Sequence, residues 1–148
     1  MSFQISPQVA PYSTGAWTPV VTFATPGNLS VAYSFQVGTY TRIGNIVFLQ
    51  CNLVTSTFTF TTASGALQIT GLPFASRTLT ANQAHGPLDW QGLTAASYTA
   101  FNLNIGSNVQ LMNVIMSGQG VTSTQVTAAN CTSATPITLR GSIAYEVA

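Results

Sequence analysis

The sequence contains almost no charge. Only 3% of its 148 residues are Asp, Glu, Lys or Arg, whereas an average soluble protein has about 25%. Lysine is absent, and the charged residues are Arg42, Arg77, Arg140, Asp89 and Glu146. Because nucleic-acid binding depends on Lys and Arg that neutralise phosphates, three dispersed arginines and a net charge of +1 argue against a nucleic-acid partner. The solvated surface must consist mainly of Thr, Ser, Asn and Gln.

Long apolar runs are also missing. No segment approaches the roughly 18 apolar residues that a membrane-spanning helix needs, and the sequence has no polybasic patch that would bind an anionic bilayer. The first fifteen residues contain neither a basic segment nor a continuous apolar segment, so they do not resemble a secretory signal. We therefore expect no membrane partner and no export through a signal peptide.

Groups that could carry out catalysis or bind a metal ion are few. Asp89 is expected in a loop and Glu146 at the end of the last strand, so no pair of acids is predicted to flank a cleft. His85 and Asp89 could formally assist a serine, but no G-x-S-x-G elbow is present, and His85-Gly86-Pro87 is typical of a turn. One His, two acids and two separated cysteines do not form a zinc site. We predict no enzyme activity, no metal site and no cofactor.

The two cysteines occur in different settings. Cys51 belongs to an apolar strand face, where a free thiol behaves as a small hydrophobic group. Cys131 lies in a polar, turn-rich stretch. The sequence leaves open whether the two are bonded to each other.

The composition predicts a folded chain, since 46% of the residues are hydrophobic and 10% are aromatic. The dominant period of the apolar residues is two, which is typical of half-buried strands. In residues 137–147, for example, Ile137, Leu139, Ile143 and Tyr145 fall on one face. No window shows apolar residues at helical spacing between caps.

Strands are predicted at ten places, separated by Gly, Pro, Asn and Ser breakers that suit short antiparallel connections. They cover residues 17–23, 31–37, 39–43, 45–54, 57–61, 66–70, 99–105, 109–116, 121–127 and 137–147. Residues 76–96 are expected to form a long loop. The fold class is all-β, an antiparallel β-sandwich of eight to ten short strands. Residues 1–15 are predicted as an extended N-terminal arm and residues 16–148 as a single β-sandwich domain.

Two groups of residues are candidates for contact with a partner. In residues 45–54 both faces carry apolar side chains, so the strand is expected to be buried on most of both sides, with Ile46 and Phe48 covered by another copy of the chain. In the predicted loop, Trp90 between Asp89 and Gln91 could stack on a sugar ring, although most aromatic side chains in such folds belong to the core.

Three ordered segments resemble a module of tailed-bacteriophage virion proteins: GAWTPVVTF at residues 15–23, GTYTRIGNIVFLQCNLVTST at 38–57 and ALQITGLPF at 66–74. The resemblance covers about the first half of the chain. It implies a sandwich of jelly-roll type, found at tail-fibre tips and in small capsid-surface proteins, commonly as a homotrimer. The matching residues shape turns and strand ends, so no catalytic role is transferred to them.

Two functions follow from the resemblance. The first is a trimeric capsid decoration, or cement, protein that stabilises the shell and has the major capsid protein as its partner. The alternative is a tail-fibre or receptor-binding tip, joined to a tail-fibre protein, that recognises a host cell-surface glycan. Either protein would be made in the host cytoplasm and located on the virion.

Overall fold

The computed structural model describes residues 10–80 and 84–148 of the chain. Residues 1–9 of the predicted N-terminal arm lie outside the described residues, while the end of that arm forms the first strand. The described residues form ten strands and one turn of 3-10 helix at Ala128–Asn130. The strands are β1 (Tyr12–Trp17), β2 (Val20–Thr25), β3 (Ser30–Ile43), β4 (Ile46–Thr59), β5 (Ser64–Thr70), β6 (Ala84–Gln91), β7 (Ala100–Ile105), β8 (Leu111–Gly118), β9 (Val121–Gln125) and β10 (Thr138–Glu146). The all-β prediction is confirmed.

The described strands pair antiparallel throughout, in the order β1-β3-β4-β10-β6-β7-β8-β5-β2, with β9 added beside β8. The path folds over at β6, whose first half pairs with β7 and whose second half pairs with β10. Sheet A is the layer formed by β1, β3, β4, β10 and the second half of β6. Sheet B is the layer formed by the first half of β6 together with β7, β8, β5, β2 and β9. The result is a sandwich with one shared core.

The core lies between the two sheets and is built from alternate residues of the strands. The predicted faces are confirmed: Ile137, Leu139, Ile143 and Tyr145 are buried, and so are the apolar residues of β7. The odd positions of β4 are buried as well, namely Val47, Leu49, Cys51 and Leu53. At one end of the core, the rings of Phe23, Phe58 and Phe60 pack edge to face or tilted, with centroids 5.1 to 5.8 Å apart.

The predicted loop at residues 76–96 is wrong over its central part, because Ala84–Gln91 is strand β6. His85-Gly86-Pro87 is therefore not a turn. It pairs with β7 just before the strand changes partner. Gly141 of β10 is needed at this change of partner, since a Cβ there would lie 2.6 Å from the carbonyl oxygen of Pro87. Pairing with β7 has overridden the local turn tendency of Gly86 and Pro87.

Strands β3 and β4 are each 14 residues long and run through positions that were predicted to end strands. The predicted strand at residues 17–23 is instead divided before Val20, since Pro19 separates β1 from β2. The connection between β3 and β4 is a tight turn, with Gly44 at a φ of 60°, and it lies between the predicted strands at residues 39–43 and 45–54.

A β-bulge in β3 changes which side chains face the core. Tyr33 pairs with Thr55 but Phe35 pairs with Val54, so Ser34 is an extra residue in the ladder. Val31 and Tyr33 pack against the core, whereas Phe35 and Val37 emerge on the outside of sheet A. The unbroken alternation of Val31, Tyr33, Phe35 and Val37 in the sequence would place all four on one face, and the bulge is the physical reason that they are divided between two faces.

Candidate interaction surface

The outward side of sheet A, which we call the outer face, carries most of the exposed apolar side chains. Seven large hydrophobic side chains of the described residues are exposed, and five of them lie here: Tyr12, Phe35, Val37, Ile43 and Phe48. Strand pairing places them on one side, because Tyr12 is opposite Ile43 and Phe35 is opposite Val54. The positions between them carry neutral polar groups such as Thr39, Thr41 and Gln50. Several exposed apolar side chains on one sheet face, with neutral polar groups among them, are typical of an interaction site.

The charges on the outer face are few and compensated. Arg140 lies 3.8 Å from Asp89 across the β10–β6 pair and donates a hydrogen bond from Nε to the Oδ1 of Asn52 at 3.0 Å. At one corner, Arg77 and Glu146 form a second pair at 3.3 Å. Both pairs are exposed, so each contributes little to stability. The face is thus close to electrically neutral over its whole extent.

Three shallow hollows cross the outer face, and Gln50 lines all of them. Phe48 lies between two of the hollows, and Val37 borders the third. An aromatic side chain that projects beside a hollow is a shape that a partner surface can match closely.

The structure brings Ile46 and Phe48 together on this outer face. Phe48 is 49% exposed and Ile46 is half-buried. The expectation that β4 is buried on both sides is wrong within the described part of one chain, since Phe48 and Gln50 are exposed and Ile46 is only half-buried. Phe35 and Val37 were missed as members of this surface. The sequence contains one indication of this surface. Val37 and Tyr40 are both apolar but three residues apart, and a regular strand cannot bury both on one face because its side chains alternate.

The structure separates the residues of the predicted sugar platform. Asp89 and Gln91 lie opposite Arg140 and Thr138 on the outer face, whereas Trp90 lies opposite the buried Leu139 and points the other way. The Trp90 ring packs on Phe101 with centroids 4.2 Å apart and is 36% exposed. Because neighbouring strand residues alternate in direction, the three side chains do not form one platform.

The two acids of the chain are far apart. Asp89 is opposite Arg140, and Glu146 lies six residues further along the same strand, which corresponds to about 20 Å. Glycoside hydrolysis by paired carboxylates needs a separation of about 5 to 9.5 Å. Among the described residues, no group of His, Cys, Asp and Glu is arranged to hold a metal ion, and no helix is long and apolar enough to cross a bilayer.

Both cysteines are free and buried. Burial raises the pKa of Cys51 to about 11, against a smaller lowering by a backbone hydrogen bond from Gly141. Burial also raises the pKa of Cys131 to about 12. The thiolate, which is the reactive form, is therefore scarce at neutral pH.

We expect neither thiol to react with a disulfide reagent such as DTNB while the chain is folded. At pH 8 the raised pKa of Cys51 alone lowers its thiolate fraction about 100-fold relative to a free thiol, and burial blocks access. The release of thionitrobenzoate from native and urea-unfolded protein measures this. Two rapid equivalents per chain in urea and none in buffer is the expected result; rapid reaction in buffer would contradict the burial of both thiols.

Two of the resemblance motifs interlock across β1 and β3. Trp17 lies opposite Gly38, and Gly15 lies opposite Tyr40. A Cβ on Gly38 would lie 2.5 Å from the Trp17 indole, and a Cβ on Gly15 would lie 2.7 Å from the Tyr40 ring. The Trp17 Nε1–H also donates to the carbonyl oxygens of Thr39 and Gln50, at 3.3 and 3.2 Å. Each glycine therefore makes room for the aromatic side chain of the other motif.

The third motif joins the same cluster through Phe74. Its ring packs edge to face on Tyr40 with centroids 5.3 Å apart, and the Arg42 guanidinium lies 4.9 Å from its centroid. The Tyr145 hydroxyl donates to the Phe74 carbonyl oxygen at 2.9 Å. The motif residues thus serve the fold, and the outer face is left as the candidate functional surface.

Comparisons with known proteins give one informative result. No family model matches the sequence, and no curated protein matches it. Among solved structures, the chain is similar in fold to the crystal structure of the Dettilon tailspike protein, with a TM-score of 0.67 and 18% sequence identity over 90% of this chain. The chain spans 24% of the length of that tailspike chain. This likeness supports the β-sandwich architecture.

Proposed function

We propose that this chain is a non-enzymatic structural module of a tailed-phage virion and that it belongs to the tail. The observation that carries the proposal is the broad, nearly uncharged outer face, presented on a fold that resembles part of a tailspike protein. The three motifs that resemble virion modules lie together in the core of this fold. Sequence and fold therefore support the same class of protein.

The module works by surface complementarity rather than by chemistry. The separation of Asp89 and Glu146 supports a non-enzymatic role, because one chain does not bring two acids to one bond. The outer face offers apolar side chains and neutral hydrogen-bonding groups on long, paired strands. Such a surface binds a protein partner through shape and burial, with little contribution from charge.

A tail location is favoured over the capsid shell. The cement role predicted from the sequence remains a prediction without further support, whereas the fold likeness is to a tailspike. Other tail proteins, rather than the major capsid protein, are then the partners to expect. No glycan site is assigned to Trp90, since its ring packs on Phe101 and points away from Asp89 and Gln91.

The number of copies per purified virion tests this proposal. Quantitative mass spectrometry against the major capsid protein is expected to give a small multiple of three, matching a trimeric tail part, and immunogold labelling is expected at the tail. An antibody against the major capsid protein serves as the control for labelling of the shell. An abundance similar to that of the capsid protein would contradict the tail role and support the cement role. Absence of the protein from virions would overturn both roles.

A further inference from the structure

We infer that the outer face of sheet A is covered by other copies of this same chain. The inference deepens the proposed function and rests on it, since it names the partner of the same surface. Five of the seven exposed large hydrophobic side chains of the described residues lie on this face. Phe48, Phe35 and Val37 are each about half exposed or more.

The charge distribution favours an identical chain as the occupant. Arg140 and Asp89 neutralise each other within the face, so the face has no excess charge that a basic or acidic partner would be needed to neutralise. Two or three such faces can approach one another without net repulsion. A nucleic acid or an anionic lipid would instead require a cationic patch, which this face lacks.

The size and relief of the face suit a stable interface. Four strands lie side by side at each end of the face, because β1 pairs only with residues 38–43 of β3 and β6 pairs with β10 only at residues 138–141. Four strands at about 4.8 Å spacing span about 19 Å, and the eight steps from Phe35 to Ile43 span about 26 Å. The flat area is then roughly 500 Å² per chain, so two such faces bury about 1,000 Å² together, which reaches the lower limit for a specific interface. The projecting Phe48 and the hollows beside it allow one copy to fit against another.

Two matched substitutions test the inference by light scattering after gel filtration. Val37→Lys places a charge on the outer face, and Val20→Lys places the same charge at an exposed valine of sheet B. We expect the wild type and Val20→Lys to be oligomers of the 15.5 kDa chain. Val37→Lys is expected to be a folded monomer by mass and circular dichroism, with a dissociation constant raised at least about 100-fold.

Cross-linking supplies a second measurement that does not weaken the interface. Gln50→Cys lies at the centre of the outer face and Thr124→Cys is exposed on sheet B. A short bismaleimide is expected to join chains through Cys introduced at position 50 and not at position 124, because both native thiols are buried.

A wild type that stays monomeric at high micromolar concentration would overturn the inference and would leave the outer face to a different partner. So would an oligomer that survives Val37→Lys but dissociates in Val20→Lys. These outcomes are separate from the virion test. A monomeric chain found in the tail would disprove only the covering of the face by other copies, and an oligomer that is absent from virions would disprove only the proposed function.

Discussion

Replacing Gly38 with alanine is expected to lower the free energy of unfolding by about 2 to 4 kcal/mol. The added Cβ would lie 2.5 Å from the Trp17 indole, which cannot retreat without losing its hydrogen bonds to Thr39 and Gln50. Overpacking of a core costs about 1 to 3 kcal/mol, and a lost hydrogen bond adds about 1 kcal/mol. For a chain of this size, the melting temperature should fall by about 5 to 15 °C.

Gly106→Ala is the matched control for this substitution. A Cβ on Gly106 would meet only a Val109 methyl group at 3.9 Å, and the position has no positive φ. Urea denaturation should therefore show little change for Gly106→Ala. In a Trp17→Leu background, Gly38→Ala should cost less than in the wild type, because the smaller side chain removes the clash. Equal losses for both alanine variants, or an unchanged loss in the Trp17→Leu background, would disprove the interlocking of the two motifs.

The sequence predicted strands and buried faces well where the alternation is unbroken. Residues 137–147 alternate without interruption, and β10 buries the predicted side chains because both of its neighbours pair in a single register. The turn at Gly44 was predictable for a different reason, since a tight hairpin needs a residue that tolerates positive φ.

The predictions from sequence fail where pairing with distant strands determines the local structure. Strand β6 contains Gly86 and Pro87 in its middle, and no local rule favours a strand there; the pairing with β7 and then with β10 makes it one. The bulge at Ser34 leaves no mark in the composition of β3, yet it moves Phe35 and Val37 to the outside. The outer face could be half predicted, from Ile46 and Phe48, because β4 alternates regularly over residues 46–54, whereas the bulge reverses the direction of Phe35 and Val37 relative to Val31 and Tyr33.

The response of stability to pH should be strongly asymmetric. Acid can protonate few side chains, since the chain has two acidic side chains and one histidine. Both side-chain carboxylates belong to exposed ion pairs that contribute at most about 1 kcal/mol each. We therefore expect the melting temperature to change little between pH 7 and pH 3. Most proteins lose stability over this range because many paired carboxylates become protonated.

Alkali should destabilise the fold steeply above pH 9. An unfolded cysteine ionises near pH 9.0, whereas burial raises the pKa of Cys51 to about 11 and that of Cys131 to about 12. The unfolded state then releases protons first, so stability is complete below pH 9 and is lost as the pH rises towards the folded pKa values. At pH 11 this amounts to about 2 to 3 kcal/mol for each thiol. Burial also raises the pKa of Tyr145 to about 12, which adds a loss in the same direction above pH 10.

Melting temperatures at pH 7, 9 and 11, measured with a reductant present, test the alkaline loss. The double variant Cys51→Ala with Cys131→Ala is the control, and its stability is compared only with itself at pH 7. Because it has no thiol to ionise, its loss between pH 7 and pH 11 should be smaller than that of the wild type by the contribution of the thiols. Equal losses in the two proteins would show that the buried thiols are not the cause. The ionisation of Tyr33 and Tyr145, whose pKa values burial also raises, would then have to account for the effect.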